Sequence, residues 1–451
     1  MSSGSDVDVV EGMLDLVHLD HAIRLAADLP RDRATLDVEA RLVGVEDAGV
    51  GRVVTIDVEV RTDSHELATL RERFAIRGRT GTAGLGDPVV AGGAARGAVT
   101  DTPRRTRAKR SVVAPTDMRA FAAVTGDHNP IHTSVAAARL AGLGDPIVHG
   151  MWLSATAQQM LGERRADGWT TRFLAPVRLG ATVDLTAVRT GLDAGAEILE
   201  ITGRSDGELV LAATARIAAP RTAYAFPGQG IQHAGMGMAG YRRSKAAREI
   251  WDRADSHTRA ALGFSILTVV QDNPTVVVAD GVTHRHPDGV LFLTQFTQVA
   301  MAVLGSAQIA ELREAGAFVD DAVLAGHSVG EYNALSAVSG VISLEAVIEV
   351  VFQRGSVMHA LVPRDTEGRS DYRLAAIRPS QIGLADSDVT AFVEGVSQES
   401  GEFLEIVNYN LRGSQYAIAG TVRGLEILEE EIARRRAAFG GKAAFILVPG
   451  I

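Results

Sequence analysis

The chain has 451 residues, 46% of them hydrophobic, with a formal net charge of −10 and no cysteine. That length accommodates roughly two to four domains, and the acidic balance argues against a nucleic-acid surface, which needs a basic face. The missing cysteines exclude disulfides, thiolate nucleophiles and zinc–thiolate sites; the first residues, Met-Ser-Ser-Gly-Ser-Asp-Val-Asp, show neither the basic nor the apolar region of a signal peptide, and there is no run of about 18 apolar residues to span a bilayer, so a reducing, cytoplasmic setting is expected.

In chain order, Met13, Leu14, Leu16, Val17, Leu19, Ile23 and Leu25 predict a buried helix within 11–30. Three strands follow at Thr35–Val43, Val50–Arg61 and Glu66–Ile76. The second alternates at Val54, Ile56, Val58 and Val60, with Asp47-Ala-Gly49 as a turn before it. Residues 79–110 are rich in Gly, Ala and Thr and end in Arg104, Arg105, Arg107, Lys109 and Arg110. They read as a linker whose basic end could alternatively touch ligand phosphates. From 111 the plan recurs: Thr182-Val-Asp-Leu, Asp193-Ala-Gly, Glu197–Ser205 and Leu209–Ile217 echo the first meander. Two such copies predict a double hot-dog, a long helix wrapped by an antiparallel sheet in each half.

The second copy carries a polar constellation that the first lacks, Thr125-Gly-Asp-His-Asn-Pro-Ile-His132, followed by His149-Gly150-Met151. Asn129-Pro130 forces a turn, so Asp127 and His132 can converge on one small volume. There the imidazole can exchange a proton and the carboxylate can hold a hydroxyl or water. Gly150 opens a helix over Met151–Leu161 whose first free N–H groups can hold a developing oxyanion. The parts suit addition or removal of water at a 3-hydroxyacyl thioester. A metal site from His128, His132 and His149, with Pro130 breaking the helical spacing it needs, and a structural Asp–His pair are the competing readings.

The pattern Asp127, Asn129, Pro130, His132, Pro146, Ile147, His149, Gly150 and Met151 over residues 111–220 resembles the MaoC-type, R-specific enoyl hydratase/dehydratase family. The resemblance implies Asp127 and His132 as the catalytic pair, Asn129 as their support and the Gly150 N–H as oxyanion donor. Residues 1–78 resemble the non-catalytic companion hot-dog, with His18 and His21 read as structural.

The second half opens at Arg221 with a strand running into Phe226-Pro-Gly-Gln-Gly230, which lacks the spacing of a nucleotide-binding loop. An apolar helix, Leu291–Leu304, carries Thr297-Gln298. Then Val323 to Glu331 places Ser328 in Gly326-His-Ser-Val-Gly330, a G-x-S-x-G turn between strand and helix that would expose the hydroxyl. The helix Leu344–Met358 holds Gln353-Arg354-Gly355. Residues 372–448 read β-α-β-β-α-β, a ferredoxin-like order, with Glu429–Glu431 and Arg434–Arg436 as a solvated helix face. Asn408-Tyr-Asn-Leu-Arg-Gly is expected to face the cleft.

These pieces together resemble the malonyl/acyl transferases, with an α/β-hydrolase-like body over 221–451 and a ferredoxin-like subdomain. The resemblance implies Ser328 as nucleophile, the backbone N–H groups of Gln229 and Val329 as oxyanion hole, Arg354 as a bidentate clamp on a malonyl carboxylate, and Gln298 in substrate binding. In that family the catalytic histidine follows the last ferredoxin-like strand. Here the sequence ends at Ile451 with no histidine after Ser328 except His359, so the transferase is expected to be incomplete and part of a larger polypeptide. His327 is expected to point away from the serine.

The order of the two modules is similar to the central part of a type I fatty acid synthase of the fungal or actinobacterial kind. That implies no cofactor held by this segment, substrates on the 4'-phosphopantetheine of an acyl carrier domain, malonyl-CoA and CoA as further substrates, other synthase domains as partners and a homo-hexameric assembly. A polyketide- or mycolate-type synthase, or a hydratase joined to a non-functional transferase scaffold, are the alternatives.

Overall fold

The computed structural model describes residues 13–30, 32–78, 81–82 and 93–448. They form two compact units, residues 1–222 with 315–320, and residues 223–314 with 321–451. No described helix is long and apolar enough to cross a membrane.

The first unit is built on one nine-stranded antiparallel sheet. Its strands are β1 (Leu16–Leu25), β2 (Asp37–Ala48), β3 (Gly51–Arg61), β4 (Glu66–Ile76), β5 (Thr100–Val113), β6 (Ala166–Phe173), β7 (Thr182–Asp193), β8 (Ala196–Ser205) and β9 (Glu208–Ile217). Their order, β2-β3-β4-β1-β6-β9-β8-β7-β5, displays the internal repeat. One half runs β2-β3-β4-β1, its counterpart runs β7-β8-β9-β6, and the two meet where β1 pairs β6 from Asp20↔Arg172 to Arg24↔Gly168. The hairpins have local causes. Ala194-Gly195 and Asp206-Gly207 all have positive φ, as a two-residue turn matched to the twist of its strands requires. In β8, Leu199, Ile201, Gly203 and Ser205 are buried while Glu200, Thr202 and Arg204 face solvent, the period-2 pattern of a sheet covered on one face. The helix Gly150–Gln159 covers that face, with Leu153 and Ala157 packed among Trp169, Leu185, Leu199 and Leu211.

Two expectations are corrected here. The helix predicted within 11–30 is strand β1. Its residues have fair helix propensity, but pairing with β4 and β6 on both edges overrides it. The pairing also buries Asp20 against Arg73 of β4, joined by two hydrogen bonds of 2.9 and 2.6 Å. Such a charge survives burial only with a partner of this geometry. Among the described residues the companion half therefore contributes strands to the double hot-dog, and the hot-dog helix comes from the second half. The second correction concerns the basic end of the proposed linker. Arg104, Arg105, Arg107, Lys109 and Arg110 lie on β5, which pairs β7 from Thr100↔Leu192 to Val113↔Thr182. Arg104 and Arg107 form ion pairs with Glu200 and Glu197 of β8. They are the charged rim of a sheet edge, and the catalytic half starts before residue 111. Residues 79–80 and 83–92 of the proposed linker lie outside the described residues.

The second unit centres on the 21-residue helix Thr294–Glu314, buried continuously from Thr294 to Val303. It packs in one cluster with Trp251, Phe264 and Phe352. Strands β10 (Ala223–Phe226) and β13 (Val323–Gly326) pair in parallel and deliver the two glycine turns side by side. Strands β11 (Val276–Ala279) and β12 (Val282–Arg285) form a hairpin. Strands β14 (Tyr372–Ile377), β15 (Leu404–Leu411), β16 (Gln415–Thr421) and β17 (Phe445–Leu447) form an antiparallel sheet in the order β15-β16-β14-β17, backed by helices Val389–Ser400 and Val422–Phe439. This is the ferredoxin-like arrangement read from the sequence. On its second helix Glu431 pairs Arg434 and Arg435 at the surface.

Candidate active sites

In the first unit, helix Arg119–Thr125 stops at Gly126, whose left-handed conformation (φ 75°) lets its N–H cap Ala122 O. The chain then turns through Asp127, His128 and Asn129 into the single turn Pro130–His132. Asn129 is the fastener of this turn. Its Oδ1 accepts from Ile131 N (3.3 Å), and its N–H donates to Asp127 Oδ1 (3.1 Å). Its Nδ2 donates to the carbonyls of Met13 (2.8 Å) and Leu16 (3.4 Å) in the companion half. The support expected of Asn129 is thus a tether between halves.

His132 is buried, and its Nδ1–H donates to Ile147 O at 2.9 Å. That contact leaves the Nε2 lone pair available as a base. Burial, and secondarily the neighbouring His149, push His132 down to about 4, against the raising effects of Ile147 O and the Asp127 carboxylate. Asp127 has a half-exposed side chain. Gly150 is the first residue of its helix, where an N–H has no intrahelical acceptor. A Cβ there would sit 3.0 Å from the Phe173 ring, so a side chain at this position would require the ring to shift by a few tenths of an ångström. Asp127, His132 and Gly150 share a cavity of about 380 Å³ whose wall is largely apolar and drawn from both halves, including Leu16, Phe74, Met151 and Phe173. The residues that the sequence assigned to this site are brought together.

Asp127, His132 and His149 each place one ligand-type atom within 4.8 Å of the others. A bound cation needs lone pairs that converge. The two imidazoles instead stack, with centroids 3.7 Å and planes 23° apart, so their in-plane lone pairs run side by side. The donor set fits a metal poorly, and His128 is outside it.

In the second unit, Ser328 has φ 55° and ψ −117°, a strained conformation for a residue with a side chain. It sits between β13 and helix Val329–Ala337. The flanking glycines are obligatory: a Cβ on Gly326 would lie 2.4 Å from Glu331 N and one on Gly330 2.0 Å from Phe226 O. Arg354 Nη2 donates to Ser328 Oγ (3.0 Å) and Nη1 to Gln298 Oε1 (2.8 Å). Gln298 Nε2 in turn reaches Gln229 Oε1 at 3.4 Å. Gly355 has its own reason, since a Cβ there would meet the Gln295 backbone at 2.4 Å. The Arg354 helix must lie that close to bring the guanidinium to the serine. Val329 is the first residue of the helix after Ser328, so its N–H is free of intrahelical bonding.

The His327 ring points away from the serine, as expected, and its Nε2 lies 3.0 Å from Asn410 Oδ1 and 3.2 Å from Asn408 Nδ2. The Asn408–Gly413 segment therefore reaches the elbow through His327, a contact that chain order could not show. His359 lies elsewhere, against His284, and burial holds it down to about 4. Among the described residues no imidazole hydrogen-bonds the Ser328 hydroxyl.

Family models match a stretch of each unit. Residues 96–207 match the MaoC-like domain and residues 223–440 the acyl transferase domain. The chain thus carries a MaoC-like domain followed by an acyl transferase domain. It is 35% identical over 361 residues to the fatty acid synthase beta subunit stcK of Emericella nidulans, covering 70% of this chain and 19% of the relative. It is 34% identical over 362 residues to the fatty acid synthase subunit beta of Saccharomyces cerevisiae, covering 69% and 18%. The chain spans about a fifth of the length of these relatives. Among solved structures, the acyl-carrier-protein-S-malonyltransferase of Bartonella henselae is 29% identical, covering 51% of this chain and 63% of that one with a TM-score of 0.38. Over about 70% of its length the chain is similar to a segment of fungal fatty acid synthase beta subunits.

Proposed function

We propose that the first domain removes water from (3R)-3-hydroxyacyl groups carried as thioesters on the phosphopantetheine of an acyl carrier domain, giving trans-2-enoyl thioesters. The observation that carries this is the convergence of the Asp127 carboxylate, the free Nε2 of His132 and the Gly150 N–H on one apolar cavity. His132 takes the C2 proton while Gly150 N–H stabilises the thioester oxygen. The C3–O bond breaks, and the departing hydroxide is protonated to water at the Asp127–His132 pair, which returns to its starting state. The apolar wall suits an acyl chain, whose burial contributes about 0.8 kcal/mol per methylene.

The second domain is read as transferring malonyl and palmitoyl groups between CoA and the carrier through an ester on Ser328. Arg354 is its carboxylate clamp, and the Val329 and Gln229 N–H groups form the oxyanion hole. The fixed approach of Arg354 to Ser328 supports this role. Similarity to synthase beta subunits supports further synthase domains as partners, and a homo-hexameric assembly is part of the same proposal. The test of the first reading is stereochemical: the protein should dehydrate a (3R)-3-hydroxyacyl pantetheine thioester and leave the (3S) isomer intact. Equal turnover of both isomers would refute it.

A further inference from the structure

His149 is buried, and it takes the N-cap position of helix Gly150–Gln159 without using its side chain as the cap. The ring turns back over the site. Its Nε2 lies 3.2 Å from the Asp127 carbonyl oxygen and 3.5 Å from Asp127 Oδ2. One face stacks on His132 at 3.7 Å, and Phe121 lies 5.2 Å away at a tilt of 51°. The residue also precedes Gly150 in the chain. One side chain thus touches both members of the catalytic pair and is covalently next to the oxyanion donor.

We propose that His149 is a positioning residue for water elimination, holding the Asp127 loop through its Nε2–H and fixing the plane of the His132 ring by stacking. The proposal rests on the reading of Asp127 and His132 as the catalytic pair. It gives the imidazole a task beyond helix initiation. A neutral His149 with its proton on Nε2 donates to the Asp127 carbonyl, which leaves Nδ1 buried and without a partner among the described residues. Such an arrangement costs about 1–3 kcal/mol when left unsatisfied, and a residue serving only to start a helix has no reason to carry it.

The stack also has an electrostatic consequence. Two imidazolium rings in contact would repel, so charge on His149 opposes protonation of His132. The other charged groups lining the space around His132 come from separate elements: Asp127, His18 and Arg77 across the cavity, and Asp117, Arg119, Asp145, Arg178 and Asp206 around the groove on its other side. Of these only the Asp127 carboxylate pulls His132 upward, as does Ile147 O.

The experiment uses the whole 451-residue protein with His149→Phe, which keeps an aromatic face but no donor, and His149→Gln, which keeps a donor but no ring. Rates of hydration of a short trans-2-enoyl pantetheine thioester are measured against pH, and His132 is titrated by NMR through its ring Cε1–H. Both variants should lose about 10- to 100-fold in kcat, as small misplacements of reacting groups do, with KM little changed. The His132 titration and the acidic limb of the profile should both move to higher pH. Wild-type kcat in either folded variant, or a lowered kcat with the His132 titration unmoved in both, would overturn the proposal. Should the Phe variant fail to fold, the Gln variant decides alone. Asp127→Asn is the parallel control: wild-type activity there would sink the assignment of the pair itself and not the placement of His149.

Discussion

Arg354 and Ser328 sit on different helical elements, yet the guanidinium reaches the hydroxyl at 3.0 Å while its other nitrogen is held at 2.8 Å by Gln298. Arginine can present such a fork without rearrangement, and lysine cannot. Arg354→Lys should lower acylation of Ser328 by malonyl-CoA by about two orders of magnitude, the scale of a lost charge-assisted bidentate contact. Acylation by acetyl-CoA, which has no free carboxylate, should change much less. Mass-spectrometric detection of the two Ser328 esters checks the difference, and an equal fall for both would remove the clamp role.

Gly330 leaves no room for a side chain, because a Cβ would lie 2.0 Å from Phe226 O. Gly330→Ala should destabilise the second unit by about 3–5 kcal/mol, at the upper end for single substitutions, since backbone and not a flexible side chain is in the way. Chemical denaturation followed by tryptophan fluorescence reports it through Trp251, which is buried in that unit.

His21 gives the first unit a pH response. It is fully buried, its Nε2 lies 2.8 Å from Ser154 Oγ, and burial with the nearby His18 lowers it from 6.5 to about 3. Above pH 6.5 both folded and unfolded chains leave it neutral, and it has no effect. Between 6.5 and about 3 the unfolded chain binds a proton that the folded one refuses, so stability falls by about 1.4 kcal/mol per pH unit. Below that the loss saturates. Thermal midpoints of the first unit should therefore drop on acidification through this window, and more shallowly in His21→Gln.

Asn129 joins the catalytic turn to Met13 and Leu16 of the companion half. Asn129→Ala removes that tether and leaves the Met13 carbonyl without its donor, at a cost of about 1–3 kcal/mol. Dehydration should slow by about 10- to 100-fold through loss of alignment, while Ser328 acylation stays at the wild-type rate. A parallel fall in both activities would point to general unfolding.

The parts of the account legible in the sequence share a reason: each sits within a few consecutive residues. The Asp127–His132 turn, the Gly326–Gly330 elbow, the Asp193-Ala-Gly hairpin and the β-α-β-β-α-β order are written locally, in glycine, proline and period-2 patterns. What the sequence hid depends on strands and rings far apart along the chain. Strand β1 looks helical until β4 and β6 claim its edges and Arg73 meets Asp20. The arginines of β5 look like a linker until Glu197 and Glu200 appear two strands away. The His149 stack on His132 and the contact of His327 with Asn408 and Asn410 join residues 17 or more positions apart, beyond what spacing alone can signal.

Asp127 and His132, on the reading proposed above, carry out water elimination in one cavity. The most direct measurement is the single-turnover rate of dehydration of a (3R)-3-hydroxyacyl pantetheine thioester by the wild-type protein, Asp127→Asn and His132→Ala, each shown to be folded by its wild-type thermal midpoint. Each substitution should reduce the rate by about 10²- to 10⁴-fold, the scale of lost general acid–base catalysis, and the double variant should be little worse than either. A rate near wild type in Asp127→Asn or in His132→Ala would contradict the assignment.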